Sequence, residues 1–88
     1  MRSSPSHNNA LCFGSFKQLQ SLLKRLNQHP KWSYSLIKQK NGLYLIEEDL
    51  GDEYLNYALI EVKNDQVYAF SPDVMRVLEE FGMKAKNI

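Results

Sequence analysis

The dipeptide Asn41-Gly42 constrains the fold of this chain more than any other feature of its sequence. It stands between two runs of β-prone residues, Trp32 to Leu36 and Leu43 to Ile46. Both central positions of a tight hairpin turn need positive φ, which asparagine and glycine tolerate better than other residues. The dipeptide therefore predicts two antiparallel strands joined by a two-residue turn.

A two-residue turn also predicts the register of this hairpin. It places Lys38 opposite Leu45 and Leu36 opposite Glu47, so that basic residues of the first strand lie near acidic residues of the second. On this register the charges of the two strands partly neutralise each other.

A second hairpin is predicted over residues 54–70, with its tip near Asn64-Asp65. Pairing Val62 with Val67 sorts the side chains onto two faces, because successive residues of a strand point to opposite sides. The face predicted to join the core carries Ala58, Ile60, Val62, Val67 and Ala69. The opposite face carries Tyr57, Leu59, Glu61, Tyr68 and Phe70.

A helix is predicted from Ser15 to about Gln28. Ser15 and Gln18 have the spacing of a capping box, and Pro30 ends the helix because it lacks an amide donor and disfavours helical geometry at the residue before it. The apolar stripe that this helix buries is Phe16, Leu19, Leu22, Leu23 and Leu26.

A second helix is predicted to begin at Ser71-Pro72-Asp73, which combines a capping hydroxyl, a proline in the first turn and an acid near the positive helix end. Gly82 suits the left-handed position that closes a helix, and Met83 is expected to fold back on it. Its apolar stripe is Val74, Val77, Leu78 and Phe81.

Together these elements predict an α+β fold: a four-stranded antiparallel sheet of two hairpins, with an N-terminal and a C-terminal helix on one face, in the order α-β-β-β-β-α. We expect residues 15–83 to form this single domain, residues 1–14 to be a flexible tail and residues 84–88 to be frayed. Residues 47–53 contain five acids and are expected to form an exposed connection.

The size and composition of the chain limit the classes of protein to which it can belong. With 88 residues, 43% of them hydrophobic and 24% charged, the composition is that of one globular domain. The single cysteine, Cys12, excludes an internal disulfide, and the sequence contains neither a secretory signal nor an apolar run long enough to cross a membrane. We therefore expect a cytoplasmic protein that does not bind membranes.

No motif for catalysis, a cofactor or a metal is present in the sequence. Phosphate-binding loops, dinucleotide fingerprints and nucleophile elbows are all absent. The three residues best suited to bind soft metals, His7, Cys12 and His29, do not have a ligand-like spacing. We therefore expect a protein that is not an enzyme and that has no cofactor and no metal.

The charge is distributed unevenly along the chain. Residues 1–46 carry a net charge of +7 and no acidic residue, whereas residues 47–88 carry −6. An alternative function follows from this: nucleic-acid binding, with basic side chains tracking phosphates and an aromatic ring stacking on bases. The residues that this alternative would use are Lys17, Lys24, Arg25, Lys31 and Trp32.

The leading function comes from the aromatic residues left outside the core. Tyr57, Leu59, Tyr68 and Phe70 are predicted to share one sheet face, and an exposed apolar patch of this kind marks an interface. The alternative is that residues 11–13 or the curl of the sheet cover this patch. The sequence thus predicts a small protein-interaction module, such as a regulator, inhibitor or accessory subunit. Its partner is a protein, and a homodimer of this chain is a further alternative.

Overall fold

A computed structural model of the chain describes residues 10–86 and shows an α+β domain. Its centre is a five-stranded antiparallel sheet with the spatial order β1-β5-β4-β3-β2, and its two helices contribute to a single core with the sheet. The elements in chain order are β1 (Leu11–Ser15), α1 (Phe16–Leu26), β2 (Ser33–Lys38), β3 (Leu43–Asp49), β4 (Leu55–Lys63), β5 (Gln66–Ala69) and α2 (Pro72–Phe81).

The strand β1 was not predicted, and it changes both the strand count and the element order. The sheet has five strands rather than four, and the order is β-α-β-β-β-β-α. The expected tail over residues 1–14 is therefore wrong from Leu11 onward, and residues 1–9 lie outside the described residues. β1 pairs with β5, and Phe13 is buried in the core with 1% of its surface exposed.

The predicted core face is confirmed. Val62 pairs with Val67, and the inward residues of β3, β4 and β5 meet the apolar stripes of both helices on the same side of the sheet. The residues of this core with less than 2% exposure and the largest side chains are Phe13, Leu19, Ile46, Ile60, Leu78, Met83 and Val67. No helix within residues 10–86 is long and apolar enough to cross a membrane.

The first helix begins as predicted and ends two residues earlier than predicted. The Ser15 hydroxyl accepts a hydrogen bond from the Gln18 amide at 3.0 Å, which satisfies a donor that the helix itself cannot. At the other end, Asn27 follows the last helical residue, and its side chain binds the backbone of Tyr34 in β2. The side-chain oxygen accepts from the Tyr34 N–H, and the side-chain nitrogen donates to the Tyr34 carbonyl at 2.9 Å.

We expect Asn27→Ala to lower the free energy of unfolding by about 1–3 kcal/mol, because it removes both of these hydrogen bonds at the edge of the sheet. Chemical denaturation of the variant and the parent protein measures the difference. Gln28→Ala is the matched control, since Gln28 is exposed and adjacent, and it should change stability by less than about 0.5 kcal/mol. Equal effects of the two changes would contradict the role assigned to Asn27.

The Asn41-Gly42 turn forms as predicted, but the register of its hairpin is shifted by one residue. Both residues have positive φ, 59° and 78°. The Gln39 N–H donates to the Leu43 carbonyl at 2.7 Å and the Leu43 N–H donates to the Lys40 carbonyl at 3.1 Å, so Gln39 and Lys40 both face Leu43. This extra residue forms a β-bulge, which shifts the pairing of all β2 residues with β3 by one position.

The shift corrects the expected pairing of charges across the hairpin. Lys38 lies opposite Tyr44 rather than Leu45, and Leu36 lies opposite Ile46 rather than Glu47. Within the described ranges, the one ion pair closer than 4 Å is Arg76 with Asp73, at 3.6 Å on the exposed side of α2. Lys38, the one base of β2, therefore forms no ion pair with the acids of β3, contrary to the prediction.

The acidic stretch over residues 47–53 is not simply an exposed connection. Its first three residues belong to β3, and Glu48 points inward, where it is 6% exposed and accepts a hydrogen bond from the Asn56 side chain at 3.0 Å. Only the remainder forms a turn, in which Asp52 and Glu53 both have positive φ. β3 and β4 are thus joined by a third tight hairpin, and β2 to β5 form a continuous antiparallel meander.

The second helix begins and ends as predicted, and it delivers Met83 to the core. The Gly82 N–H donates to the Glu79 carbonyl and the Met83 N–H donates to the Leu78 carbonyl, which is the pattern of a Schellman motif. Met83 is 1% exposed. The expected fraying from residue 84 is wrong for the described part, because the Lys86 N–H donates to the Cys12 carbonyl of β1 at 2.8 Å. Residues 87–88 lie outside the described residues.

Candidate functional site

The sheet face turned away from both helices is called the open face below. The four residues predicted to bind a partner all lie on it, since the predicted pairing of β4 with β5 is correct. Tyr57 is 52% exposed and Leu59 is 42% exposed, while Tyr68 and Phe70 are half-buried. The structure thus brings together on one surface the side chains that the sequence analysis selected.

A row of aliphatic residues crosses the middle of the open face. Ile37 of β2 pairs with Leu45 of β3, and Leu45 pairs with Leu59 of β4. Cross-strand partners on the same face lie within side-chain contact distance. These three residues, called the apolar row, therefore form a continuous strip perpendicular to the strands.

An acidic and aromatic row lies beside the apolar row. Tyr57 pairs with Glu47, and its hydroxyl donates to a Glu47 carboxylate oxygen at 2.9 Å. This hydrogen bond, and then the charge of Glu47, raises the pKa of Tyr57, because both favour the protonated phenol. The hydrogen bond thus holds the Tyr57 ring next to a carboxylate.

The charges on the open face are mostly negative. By the alternation of β3 and β4, Glu47, Asp49 and Glu61 point to this face together with one basic residue, Lys63. None of these acids lies within 4 Å of a basic group in the described part of the chain. A second base, Lys86, reaches the β5 side of this face, where its ammonium group donates to the Gln66 side chain at 3.2 Å. The open face therefore combines an apolar centre with three acids on β3 and β4 and with two bases at its β5 end.

A shallow hollow of about 410 Å³ deepens the open face at its β5 end. Tyr68 and Phe70 supply its aromatic wall, and Glu61 and Lys63 supply its polar rim. The hollow adjoins the apolar row through Leu59 and Glu61 on β4.

Ile37, Leu45 and Leu55 also lie on the open face, and the sequence did not predict them there. Leu55 is 52% exposed and Ile37 is 37% exposed. The run Leu43 to Ile46 is apolar throughout, so its alternation gives no sign of which residues point inward. Only the bulge after β2 decides the register, and no residue type marks a bulge of this kind.

The residues of the nucleic-acid alternative lie on and after α1. Lys17 and Lys24 are exposed on the helix, and Arg25 and Lys31 are exposed near its end. None of the four forms an ion pair with a described residue. Lys17 is in the first turn of α1, whereas Lys31 follows the last, so the bases span about 15 Å of helix. They do not form one compact cluster.

Trp32 directly follows Lys31, but its ring contacts other groups. Its indole ring stacks on the His29 ring with a centroid distance of 3.9 Å and an angle of 8°, so one aromatic face is already occupied. The rest of the ring borders a cleft that also contains Glu48 and Glu80. Carboxylates repel a phosphate backbone, so the surroundings of Trp32 do not suit the stacking of nucleic-acid bases.

No group of three or more potential metal ligands is found among residues 10–86. Cys12 is half-buried, and its thiol donates to the Gln66 side chain at 3.3 Å. His29 accepts a hydrogen bond from the Lys31 amide, and His7 lies outside the described residues.

Comparisons of this chain with protein-family models, with curated proteins and with solved structures find no match.

Proposed function

We propose that this protein is a non-enzymatic interaction module whose open face binds a partner protein, as a regulator, inhibitor or accessory subunit does. The observation that supports this most is the apolar row, which the meander aligns with Tyr57 and Tyr68 on a rigid surface. Rigid aromatic and aliphatic side chains lose little entropy on binding and are enriched where interfaces are strongest.

The partner that fits this face has an apolar strip flanked by lysine or arginine residues. The aliphatic strip of such a partner would cover the apolar row, and its bases would meet Glu47, Asp49 and Glu61. Opposite charges around an apolar centre speed association and discriminate between partners. The excess of acids on the open face thus favours a partner protein whose contacting surface is positively charged.

A second copy of this chain fits the open face less well. Two stacked open faces would bring an excess of acids against an excess of acids, which costs binding free energy. Five strands at about 4.8 Å spacing and seven residues at about 3.3 Å each give a face of roughly 550 Å². A stable interface buries about 800 Å² per partner, so the area of this face limits every partner alike, and the charge is what disfavours a second copy.

The test compares two tyrosines of similar exposure on opposite sides of the sheet. The probe is a short fluorescent peptide of alternating leucine and lysine, with a leucine and glutamate peptide as its charge control. We expect the basic peptide to bind the parent protein, and Tyr57→Ser to weaken that binding by about 2 kcal/mol, or about thirtyfold. Fluorescence anisotropy measures both affinities.

Tyr54→Ser is the matched control, since Tyr54 is 59% exposed but borders the helix side of the sheet. It should leave the affinity unchanged, and both variants should melt within a few degrees of the parent. Equal losses in the two variants, or equal binding of the acidic and basic peptides, would contradict the proposal. A dimer that Tyr57→Ser dissociates in analytical ultracentrifugation would replace the proposed partner with a second copy.

Nucleic-acid binding through α1 is the second candidate function, and the unpaired bases Lys24 and Arg25 are the observation in its favour. If it operates, the affinity for mixed oligonucleotides falls steeply with salt, and Lys24→Ala with Arg25→Ala reduces that salt slope by up to about two. Titrations at low and moderate salt decide this. The protein-binding proposal predicts no saturable binding to the oligonucleotides.

A further inference from the structure

A second recess lies on the other side of the sheet, between the ends of the two helices and β3. It has a volume of about 290 Å³ and is called the cleft below. Its aromatic lining is Trp32, Tyr34 and Phe81, and its charged lining is Glu48 and Glu80. No basic residue among residues 10–86 lines it, so the cleft combines aromatic surface with two carboxylates.

Tyr34 presents an unused hydroxyl to the cleft. It is only 9% exposed, and its ring packs edge-on against Phe81 with a centroid distance of 5.5 Å. The Tyr34 hydroxyl has no hydrogen-bond partner among the described residues. Every fully enclosed side-chain oxygen in this part of the chain does have a partner, so the hydroxyl is not fully enclosed and opens onto the cleft. Glu48 and Glu80 line the same cleft as Tyr34, and burial, followed by the charges of these two carboxylates, raises the pKa of Tyr34.

Glu48 is the second buried polar group of the cleft. It is 6% exposed, and only one of its carboxylate oxygens is bound by the Asn56 side chain, at 3.0 Å. Its other oxygen accepts no hydrogen bond from residues 10–86 and is not fully enclosed, and no cation among these residues lies within 4 Å of the carboxylate. Buried carboxylates are ordinarily paired with a charge or with several donors, so Glu48 has an unused capacity to bind a cation.

We infer that the cleft binds an organic cation, a primary ammonium or guanidinium group on an aliphatic chain. The carboxylates of Glu48 and Glu80 would accept its charged hydrogen bonds, and the Tyr34 hydroxyl would accept another. The rings of Trp32 and Phe81 would cover the aliphatic chain and attract the positive charge. The volume of the cleft is at the lower limit for ligand pockets, which suits one lysine-like or arginine-like group rather than a larger molecule.

The charged groups around the cleft agree with this inference. Arg76 lies nearby in α2, but its guanidinium pairs with Asp73 at 3.6 Å rather than with Glu80. His29 stacks on the far side of Trp32 and forms a hydrogen bond with the Lys31 amide. Neither residue lines the cleft.

The experiment uses the fluorescence of Trp32, which is the single tryptophan of the chain. The probes are butylammonium chloride, its neutral analogue butanol and its anionic analogue sodium butyrate. We expect butylammonium to change the emission saturably with a Kd of about 1–10 mM, and the other two to have no saturable effect. Because Trp32 is on the opposite side of the sheet from Tyr57, success or failure here is independent of the open face.

Variants of the two carboxylates complete the test. Glu80→Gln, at an exposed position, should raise the Kd for butylammonium about threefold to fivefold, and Glu48→Gln should raise it about tenfold. Glu79→Gln is the matched control on the same helix and should leave the Kd unchanged. Overlapping circular dichroism melts establish that each variant is folded.

Two further probes distinguish the sources of such a cation. A blocked tripeptide with a central lysine that binds at least as tightly as butylammonium identifies a protein side chain, whereas tighter binding of putrescine identifies a free amine. The inference is overturned if butanol matches butylammonium, if the emission does not saturate, or if Glu80→Gln and Glu79→Gln behave alike.

Discussion

Replacing Phe13 with alanine should lower the free energy of unfolding by about 3–5 kcal/mol. Phe13 is 1% exposed and fills the core from β1, beside residues of both helices. Its loss removes the burial free energy of an aromatic ring and leaves a cavity that the surrounding sheet cannot close. A domain of this size has a total stability of about 4–13 kcal/mol, so much of the variant should be unfolded at moderate temperature.

Urea denaturation followed by circular dichroism measures this effect, and Leu11→Ala is its control within the same strand. Leu11 is 41% exposed and should contribute less than about 1 kcal/mol. If Phe13→Ala were as stable as Leu11→Ala, β1 would not belong to the core and the sheet would have four strands.

Met83→Ala should cost about 2–5 kcal/mol, although Met83 lies outside any helix or strand. The Schellman motif at Gly82 turns the chain back so that Met83 enters the core beside Gly14 of β1, where it is 1% exposed. The segment that follows is held to β1 by the hydrogen bond from Lys86 to Cys12. The core therefore includes the chain beyond the last helix.

Thermal and urea unfolding of Met83→Ala measure this contribution against Lys84→Ala. Lys84 is the next residue along the chain and is exposed, so its replacement should change stability by less than about 0.5 kcal/mol. A Met83→Ala variant as stable as Lys84→Ala would mean that the chain after Gly82 is not packed in solution.

The parts of the fold that sequence alone predicted are those with local causes. The capping serines, the proline of α2 and the positive φ values at residues 41, 42, 64 and 65 depend on neighbours within a few positions. β1 depends on a distant partner: Cys12 pairs with Tyr68, and a register shift interrupts the strand. No short-range periodicity reports such a pairing, and Gly14 with φ of 116° hides the alternation further.

The open face was predictable where a hairpin without a bulge fixed the register. Tyr57 and Tyr68 follow directly from the pairing of Val62 with Val67. Ile37 and Leu45 were not predictable, because the bulge at Gln39 and Lys40 exchanges the expected partners across β2 and β3. The cleft around Tyr34 could not be predicted either, because it lies between the ends of two helices and Glu48. The sequence had placed Glu48 in an exposed connection, whereas it is buried.

The proposal that the open face binds a basic, amphipathic partner is tested most directly by nuclear magnetic resonance. The ¹⁵N-labelled protein is titrated with the leucine and lysine peptide, and amide shift changes are mapped onto the strands. The proposal predicts that the largest changes lie around the apolar row and Tyr57, with little change in α1 and none with the leucine and glutamate peptide. Changes centred on Lys24 and Arg25, or equal changes with both peptides, would contradict it.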